Sequence, residues 1–294
     1  MALVVETTAF TNWSASAVNT IDITKPTGLA VGDLMVAHVT AMDSSDPVVA
    51  LPAGWTNVTT RVQDGGRVYT RTMFRIATAG DVAASVFPFT SNITAFMSGG
   101  MYRISGAPTA SVVQSFSNPA QQSLTASALM NTTILIEPLV PNSLFITFYT
   151  LFFLTGASFT LGSYTSTPSV TRTEAWDNYR NYGGGNFNPL SAAVHGVYSG
   201  SSNITDISAT LSADQSPLYF STSILINPQQ NATVSIPHLA IEPTLFGVVP
   251  SVNVSLDVAH TAITPAIQGV AFRLNNPVWT DQIKPPATWV TETK

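Results

Sequence analysis

Residues 56–76 read TNVTTRVQDGGRVYTRTMFRI, and this stretch decides the fold class. Two runs rich in Val, Thr, Tyr and Phe flank residues 64–66 (DGG), whose glycines reach positive φ angles at little steric cost. The pattern predicts a β-hairpin with strands over 56–63 and 68–76. Helical periodicity is nearly absent, so the stretch indicates antiparallel β-sheet.

Similar short runs recur through the first 228 residues. We predict further strands over 17–23, 34–40, 85–89, 95–104, 132–136, 144–154, 169–176, 191–198, 208–211 and 218–226, and a short helix over 120–130. Runs bounded by Gly, Pro, Asn, Asp and Ser are typical of all-β sandwiches and barrels. The sequence therefore predicts an all-β protein whose main domain, residues 1–228, is a large, jelly-roll-like antiparallel β-sandwich.

Two parts of this domain resemble each other. Residues 32–39 (GDLMVAHV) align with residues 142–149 (NSLFITFY), and residues 69–104 align with residues 190–226. Two halves of similar strand order predict one sandwich to which each half gives strands in both sheets. The alternative is that two β segments of this composition align by chance.

The pattern changes after residue 228. Residues 231–243 (NATVSIPHLAIEP) match residues 253–265 (NVSLDVAHTAITP). Such short repeats, each closed by a proline, cannot bury a core singly, and they predict a small β-repeat region over 229–274. Residues 275–294 hold Trp279 and Trp289 among prolines, which predicts an extended arm whose indole rings dock on a partner.

The composition limits the classes of function. Only 9% of the 294 residues are charged, where about a quarter is usual, and Ser, Thr, Asn and Gln take their place. A surface of this kind packs well against copies of itself, so we expect a building block of an assembly and no enzyme. The eleven basic residues are thinly spread and the net charge is −5, which argues against nucleic acid as a partner.

The longest apolar run, LFITFYTLFFL over 144–154, is too short to cross a bilayer as a helix and predicts a buried strand. We therefore expect no membrane insertion. The first residues, MALVVE, lack the basic and apolar regions of a secretory signal, so we expect synthesis in a cytoplasm.

Residues capable of catalysis or metal binding are scattered. The chain has no cysteine and no Gly-x-Ser-x-Gly motif, and each of its four histidines is isolated and expected to be structural: His38, His195, His238 and His260. Residues 43–46 (DSSD) could offer calcium ligands, but a solvated loop is the favoured interpretation. We expect no catalytic residue, metal or cofactor.

Paired carboxylates are the remaining route to an enzyme. The candidates for glycoside cleavage are Glu137, Glu174, Asp177, Asp206 and Asp214. The sequence does not say which two of them lie together, so a pairing is not predicted.

Residues 176–188 (WDNYRNYGGGNFN) have the most unusual local composition. Aromatic side chains among Asn and Gly in a loop are typical of surfaces that contact carbohydrate or protein. The candidate contact residues are Trp176, Tyr179, Tyr182 and Phe187, together with the two tryptophans of the arm. Sugar binding and packing on a neighbouring subunit both stay open, and subunit packing is favoured.

Four pieces of the chain resemble a known family: residues 31–37 (VGDLMVA), 51–56 (LPAGWT), 74–81 (FRIATAGD) and 101–106 (MYRISG). Together they resemble a β-sandwich module of tailed-bacteriophage virion proteins, which include minor tail proteins, tail fibres and head-associated fibres. The resemblance implies a tail- or capsid-associated structural protein on the virion.

Such a protein would act by forming a homo-oligomer, for instance a trimer, and by docking onto other virion proteins. One alternative is a receptor-binding fibre that recognises host surface glycans through residues 176–188. A polysaccharide depolymerase is a further alternative.

Overall fold

The computed structural model of the protein describes residues 2–63, 67–108, 112–117, 122–123, 129–136, 140–153, 159–182, 188–212 and 218–228. All of them belong to one compact unit, Met1–Val234. The expected repeats over 229–274 and the arm over 275–294 lie outside the described residues and stay predictions.

Strands dominate the described chain, which confirms the all-β class. The first half contains β1 (Val4–Thr11), β2 (Val18–Thr24), β3 (Leu34–Met42), β4 (Thr56–Gln63), β5 (Val68–Ile76), α1 (Ala79–Ala83) and β6 (Val86–Ser105). The second half contains β7 (Val113–Ser117), β8 (Gln122–Ser123), β9 (Leu129–Ile136), β10 (Ser143–Phe153), β11 (Leu161–Thr167), β12 (Thr173–Tyr179), β13 (Asn188–Tyr198), β14 (Ile204–Leu211) and β15 (Leu218–Ile226).

Several elements differ from the sequence prediction. The structure adds β1, β7, β8, β11 and the short helix α1, and it joins the two strands expected at 85–89 and 95–104 into the single strand β6. Where the helix expected over 120–130 can be compared, at residues 122–123 and 129–130, the structure has strand residues of β8 and β9; the other residues of that range lie outside the described part of the chain. The hairpin of β4 and β5 is confirmed by their antiparallel pairing.

Two large sheets have the same strand order. The first sheet runs β1-β6-β3-β5-β4, with β2 also pairing with β6. The second runs β7-β15-β10-β13-β12, with β8 also pairing with β15, and β11-β14-β9 form a third, three-stranded sheet. The central strand is β3 in one half and β10 in the other, as the sequence alignment requires.

The pairing register also repeats. Leu34 pairs with Ile76 and Ile104, and the aligned Leu144 pairs with Val197 and Ile226. The pairs of β1, β4, β7 and β12 with their neighbours each contain a register shift, while the pairs around β3 and β10 contain none. Agreement in order, register and bulge position is not expected of a chance alignment, so the two halves are structural repeats.

Each half has a core of its own. Alternate residues of β3, such as Met35 and Val39, lie in the core of the first half, and alternate residues of β10, such as Phe145 and Tyr149, lie in the core of the second. The halves therefore do not give strands to each other's sheets. The reason is that β3 and β10 are each hydrogen-bonded on both sides by strands of their own half.

The opposite faces of the two large sheets pack on each other, and we call this layer the seam. Its buried apolar residues are Leu3, Trp13, Leu34, Val36, Met42, Val68, Tyr102, Ile104, Ala107, Val112, Leu144, Ile146, Phe148, Phe152, Trp176, Ala193, Phe220, Ile224 and Ile226. Aligned residues meet there: Leu34 and Leu144 share one cluster, and Met42 and Phe152 share the other. The halves thus face each other through equivalent surfaces, as subunits of a two-fold dimer do.

Candidate functional site

Strand β12 carries most of the predicted contact residues, and its β-bulge decides which way they face. The register shifts between Glu174 and Trp176, so Glu174 pairs with Val194 and Asp177 pairs with Ala192. Val194 and Ala192 both lie in the core of the second half. In a regular strand, residues three apart point to opposite faces, but the bulge puts both carboxylates on the core side of the sheet and Trp176 in the seam.

Trp176 makes its contacts inside the chain. Its ring stacks on Phe10 at a centroid distance of 5.4 Å and 20°, and it lies 5.4 Å from the ring of Tyr102. Only 6% of the residue is exposed. The ring therefore joins the two halves and does not offer a free face for a sugar or a neighbouring subunit.

Gly100 on β6 makes room for this indole. A Cβ at that position would lie 2.5 Å from the Trp176 ring. The atoms nearest to this position belong to the Trp176 ring, which already packs against Phe10 and Tyr102. Any side chain at Gly100 would therefore displace Trp176.

Tyr182 also joins the halves. Its ring lies 4.0 Å from that of Phe96, and its hydroxyl donates to the carbonyl oxygen of Ser14 at 2.8 Å. Nearby, Asn178 bonds Asn12, and Arg180 Nη1 donates to the Trp13 carbonyl at 3.5 Å. Residues 178–182 thus hold the loop that follows β1.

The other predicted contact residues are not brought together with these two. Tyr179 packs against the second core, edge-on to Phe159 at 5.7 Å. Phe187, Trp279 and Trp289 lie outside the described residues, so their partner contacts stay predictions.

Two of the histidines lie in the seam. His38 stacks on Phe148 at 4.5 Å and 5°, and its Nδ1 shares a hydrogen bond of 2.8 Å with the Thr72 hydroxyl. His195 lies edge-on to Tyr102 at 5.5 Å. Burial lowers the pKa of both, to about 3 for His38, so both imidazoles are neutral at neutral pH.

The carboxylates of Glu174 and Asp177 form a pair that the sequence did not identify. Tyr164 on β11 donates its hydroxyl to Glu174 Oε2 at 3.2 Å, and the Leu161 N–H donates to Asp177 Oδ2 at 2.6 Å. Burial raises the pKa of Asp177 to about 6; the Leu161 hydrogen bond opposes the rise and the charge of Glu174 adds to it. No pattern in the sequence marks the bulge that brings the two acids to one face.

The remaining acidic candidates are separate from this pair. Glu137 and Asp214 lie outside the described residues, and Asp206 accepts a hydrogen bond from Thr205. Asp43 Oδ1 accepts from the Ser45 N–H at 3.0 Å within its own turn, as a loop carboxylate does. The described residues contain no cluster of three or more His, Cys, Asp or Glu side chains able to hold a metal ion.

A shallow polar groove opens on the three-stranded sheet. It has a volume of about 270 Å³ and is lined by Thr165, Ser166, Thr167, Asp206, Ile207 and Ser208. The Thr165 and Ser208 hydroxyls bond each other across the strands, so part of the lining is already satisfied internally.

The comparisons with known proteins bring no relative to light. No protein-family model, curated protein sequence or solved structure matches the chain. Within the described residues, no helix has the length and apolar character needed to cross a membrane.

Proposed function

We propose that the protein is a structural component of a bacteriophage particle, associated with the tail or the capsid, that self-associates and docks onto other virion proteins. The observation that carries the proposal is the chemistry of the exposed strand faces. On β2 and β6 these faces present mostly neutral polar residues, namely Asn19, Thr20, Thr90, Asn92 and Thr94, with Asp22 as a charged neighbour. Neutral hydroxyls and amides lose less hydration free energy on burial than ions do, which favours lasting contact with a neighbour.

Two further features support this proposal. The repeated sandwiches hold Trp176 and Tyr182 in contacts between the halves, which suits a scaffold. The pieces that resemble the virion module lie around β3, β4, β5 and β6, all within the first half. The arm over 275–294 is the segment that we propose to dock on partners.

A truncation tests this function. The full chain and a chain ending at Asn275 are compared by light scattering after gel filtration, at low and high salt, with circular dichroism as the folding control. We expect the full chain to be oligomeric at both salt concentrations and the truncated chain to be folded and monomeric. The full-length double variant Trp279→Ala, Trp289→Ala separates the rings from the rest of the arm. A full chain that is monomeric and binds no virion protein would contradict the proposal.

A second candidate, polysaccharide depolymerisation, is favoured by the Glu174 and Asp177 pair, since a carboxyl of raised pKa beside a second carboxylate suits acid–base work. Release of reducing ends from host polysaccharide, lost in Asp177→Asn and in Glu174→Gln, would support it. No release by the wild-type protein would exclude it.

A further inference from the structure

We propose that the seam is an acid-sensitive joint, at which protonation of His38 and His195 separates the two sandwiches while each keeps its own core. The proposal rests on the packing between the halves and is independent of the function proposed above.

Buried polar atoms without a hydrogen-bond partner collect in the seam. Among the described residues these atoms include Trp13 Nε1, His38 Nε2, Thr40 Oγ1, Tyr102 OH, Thr150 Oγ1, Trp176 Nε1 and His195 Nδ1. No residue of the described core cluster of the first half contributes such an atom, whereas on the core side of the second half Arg172 Nε and Nη2 and Asp177 Oδ1 also lack a partner. Each of these groups regains a water hydrogen bond when the seam opens, so the seam is held less firmly than an apolar interface of the same size.

His38 is placed where a proton is hard to accept. One imidazole face covers the Phe148 ring, Nδ1 is engaged with the Thr72 hydroxyl, and Nε2 has no partner. Protonation makes both ring nitrogens donors and adds a charge between two apolar sheets. Opening the seam relieves both costs.

His195 lies near a positive charge. Burial lowers its pKa, and the guanidinium of Arg172 lowers it further. The imidazole of His195 is edge-on to the ring of Tyr102, and Tyr102 is itself buried. A proton on His195 therefore repels Arg172, which belongs to the same half, and water that enters an open seam screens this repulsion.

The elements packed against the two histidines supply no compensating acid among the described residues. β5 brings Thr72, β6 brings Tyr102, and β10 brings Phe148. Glu174 on the neighbouring β12 points to the other side of its sheet, where it accepts from Tyr164. Among the described charged groups, Arg172 alone shifts the pKa of one of these histidines, which is His195.

The direction of the pH effect follows from these contacts. In the closed seam the pKa of His38 is about 3, and in the open state it returns towards 6.5. The open state therefore binds more protons, and each pH unit below about 6.5 favours opening by up to tenfold for this histidine. His195 adds to the shift in the same direction.

The two sandwiches can stay folded during opening because their cores do not include the seam. Met35, Val39 and Trp55 lie in the first core, while Phe145 and Tyr149 lie in the second. Losing the seam exposes one face of each large sheet and breaks none of its strand pairings.

Hydroxyl-radical footprinting with residue-level mass spectrometry tests the joint. Near pH 4, where about two and a half units of the His38 shift act, we expect oxidation of Trp176 and Tyr102 in the seam to rise at least fivefold. Oxidation of Trp55 and Tyr149 in the two cores should not change, and the rise should reverse at neutral pH.

Histidine variants of the full chain show whether His38 and His195 cause the rise in oxidation. The double variant His38→Phe, His195→Phe should show no rise, whereas the matched control His238→Phe, His260→Phe should respond like the wild type. If the first double variant does not fold, His38→Phe alone should move the midpoint of the rise to lower pH, since Phe148 shows that this ring fits the seam. The proposal is overturned by a wild type without a rise, by core and seam residues that rise together, or by a rise that persists without the two histidines.

Discussion

The two halves share strand order and pairing register but differ in the side chains that fill their cores. The residue before β4 is Trp55, which packs edge-on to Phe87 and Phe89 at 6.3 and 5.5 Å. The residue before β12 is Arg172, whose guanidinium covers the Phe145 ring at 3.9 Å and donates to the Thr147 hydroxyl at 3.3 Å. One core thus holds an indole where the other holds a cation. Strand order and register tolerate this difference because backbone pairing sets them.

The largest effect on the free energy of unfolding should come from changing Trp55 and Arg172, the two residues that differ between the cores. Trp55→Arg puts an unpaired charge into the first core, so we expect it to lower the free energy of unfolding by about 4 kcal/mol. Arg172→Met removes a buried cation with two unpartnered N–H groups and should raise that free energy by about 1 kcal/mol. Urea unfolding followed by circular dichroism measures both. If Arg172→Met destabilises more than Trp55→Arg, the cation belongs to its core and the comparison fails.

The second effect concerns the contact between Gly100 and Trp176. The added Cβ of Gly100→Ala meets the indole ring, so we expect a loss of about 2 kcal/mol of stability. The shorter side chain of Trp176→Leu should remove most of the added cost in the double variant, as a double-mutant cycle would show. Gly162→Ala is the matched control, because nothing lies within 4 Å of its Cβ position. An additive cycle would mean that Gly100 is needed for some other reason.

Asp177 in the second half and His38 in the first should respond to pH with opposite signs. The raised pKa of Asp177, about 6 against 3.8 unfolded, means that the folded state binds more protons, so its contribution to stability is lost as pH rises through this range. The lowered pKa of His38 means that stability is lost as pH falls below 6.5. We expect Asp177→Asn to be more stable than the wild type at about pH 8, by about 1 kcal/mol after allowance for solvent screening, but not at about pH 4. Equal differences at the two pH values would refute this assignment.

The smallest effect should come from α1, which connects β5 to β6 in the first half. Thr78 caps this helix: its hydroxyl accepts from the Asp81 N–H, and Asp81 accepts from the Thr78 N–H at 2.8 Å. Thr78→Ala should cost about 1 kcal/mol in thermal unfolding. Ser202→Ala, in the connection between β13 and β14, should change stability by less than about 0.5 kcal/mol. A loss as large at Ser202 would show that the cap adds nothing.

Short runs of β-branched and aromatic residues between turn residues were enough to predict the all-β class, and the sequence alignment offered the repeat as one of two alternatives. The alignment of residues 32–39 with 142–149 pointed to both central strands, because each lies between a core and the seam and is therefore apolar on both faces. Edge strands such as β1 and β11 were not predicted, since Thr, Ser and Glu among their residues weaken the alternation of apolar and polar residues.

The candidate site was harder to predict for a different reason. Trp176 and Tyr182 look like surface-contact residues by composition, but the partners that bury them are Phe10, Tyr102 and Phe96, far away in the sequence. The face of Trp176 also depends on a bulge without a sequence signal of its own. Long-range packing therefore decided what local composition could not.

The bulges at the outer pairs of both large sheets affect how copies of the protein can aggregate. An uninterrupted edge is a template on which further strands add without limit, as in amyloid fibrils. Here β1, β4, β7 and β12 each pair with a register shift. A chain with so little charge to keep its copies apart thus has local geometry that opposes endless growth of its sheets.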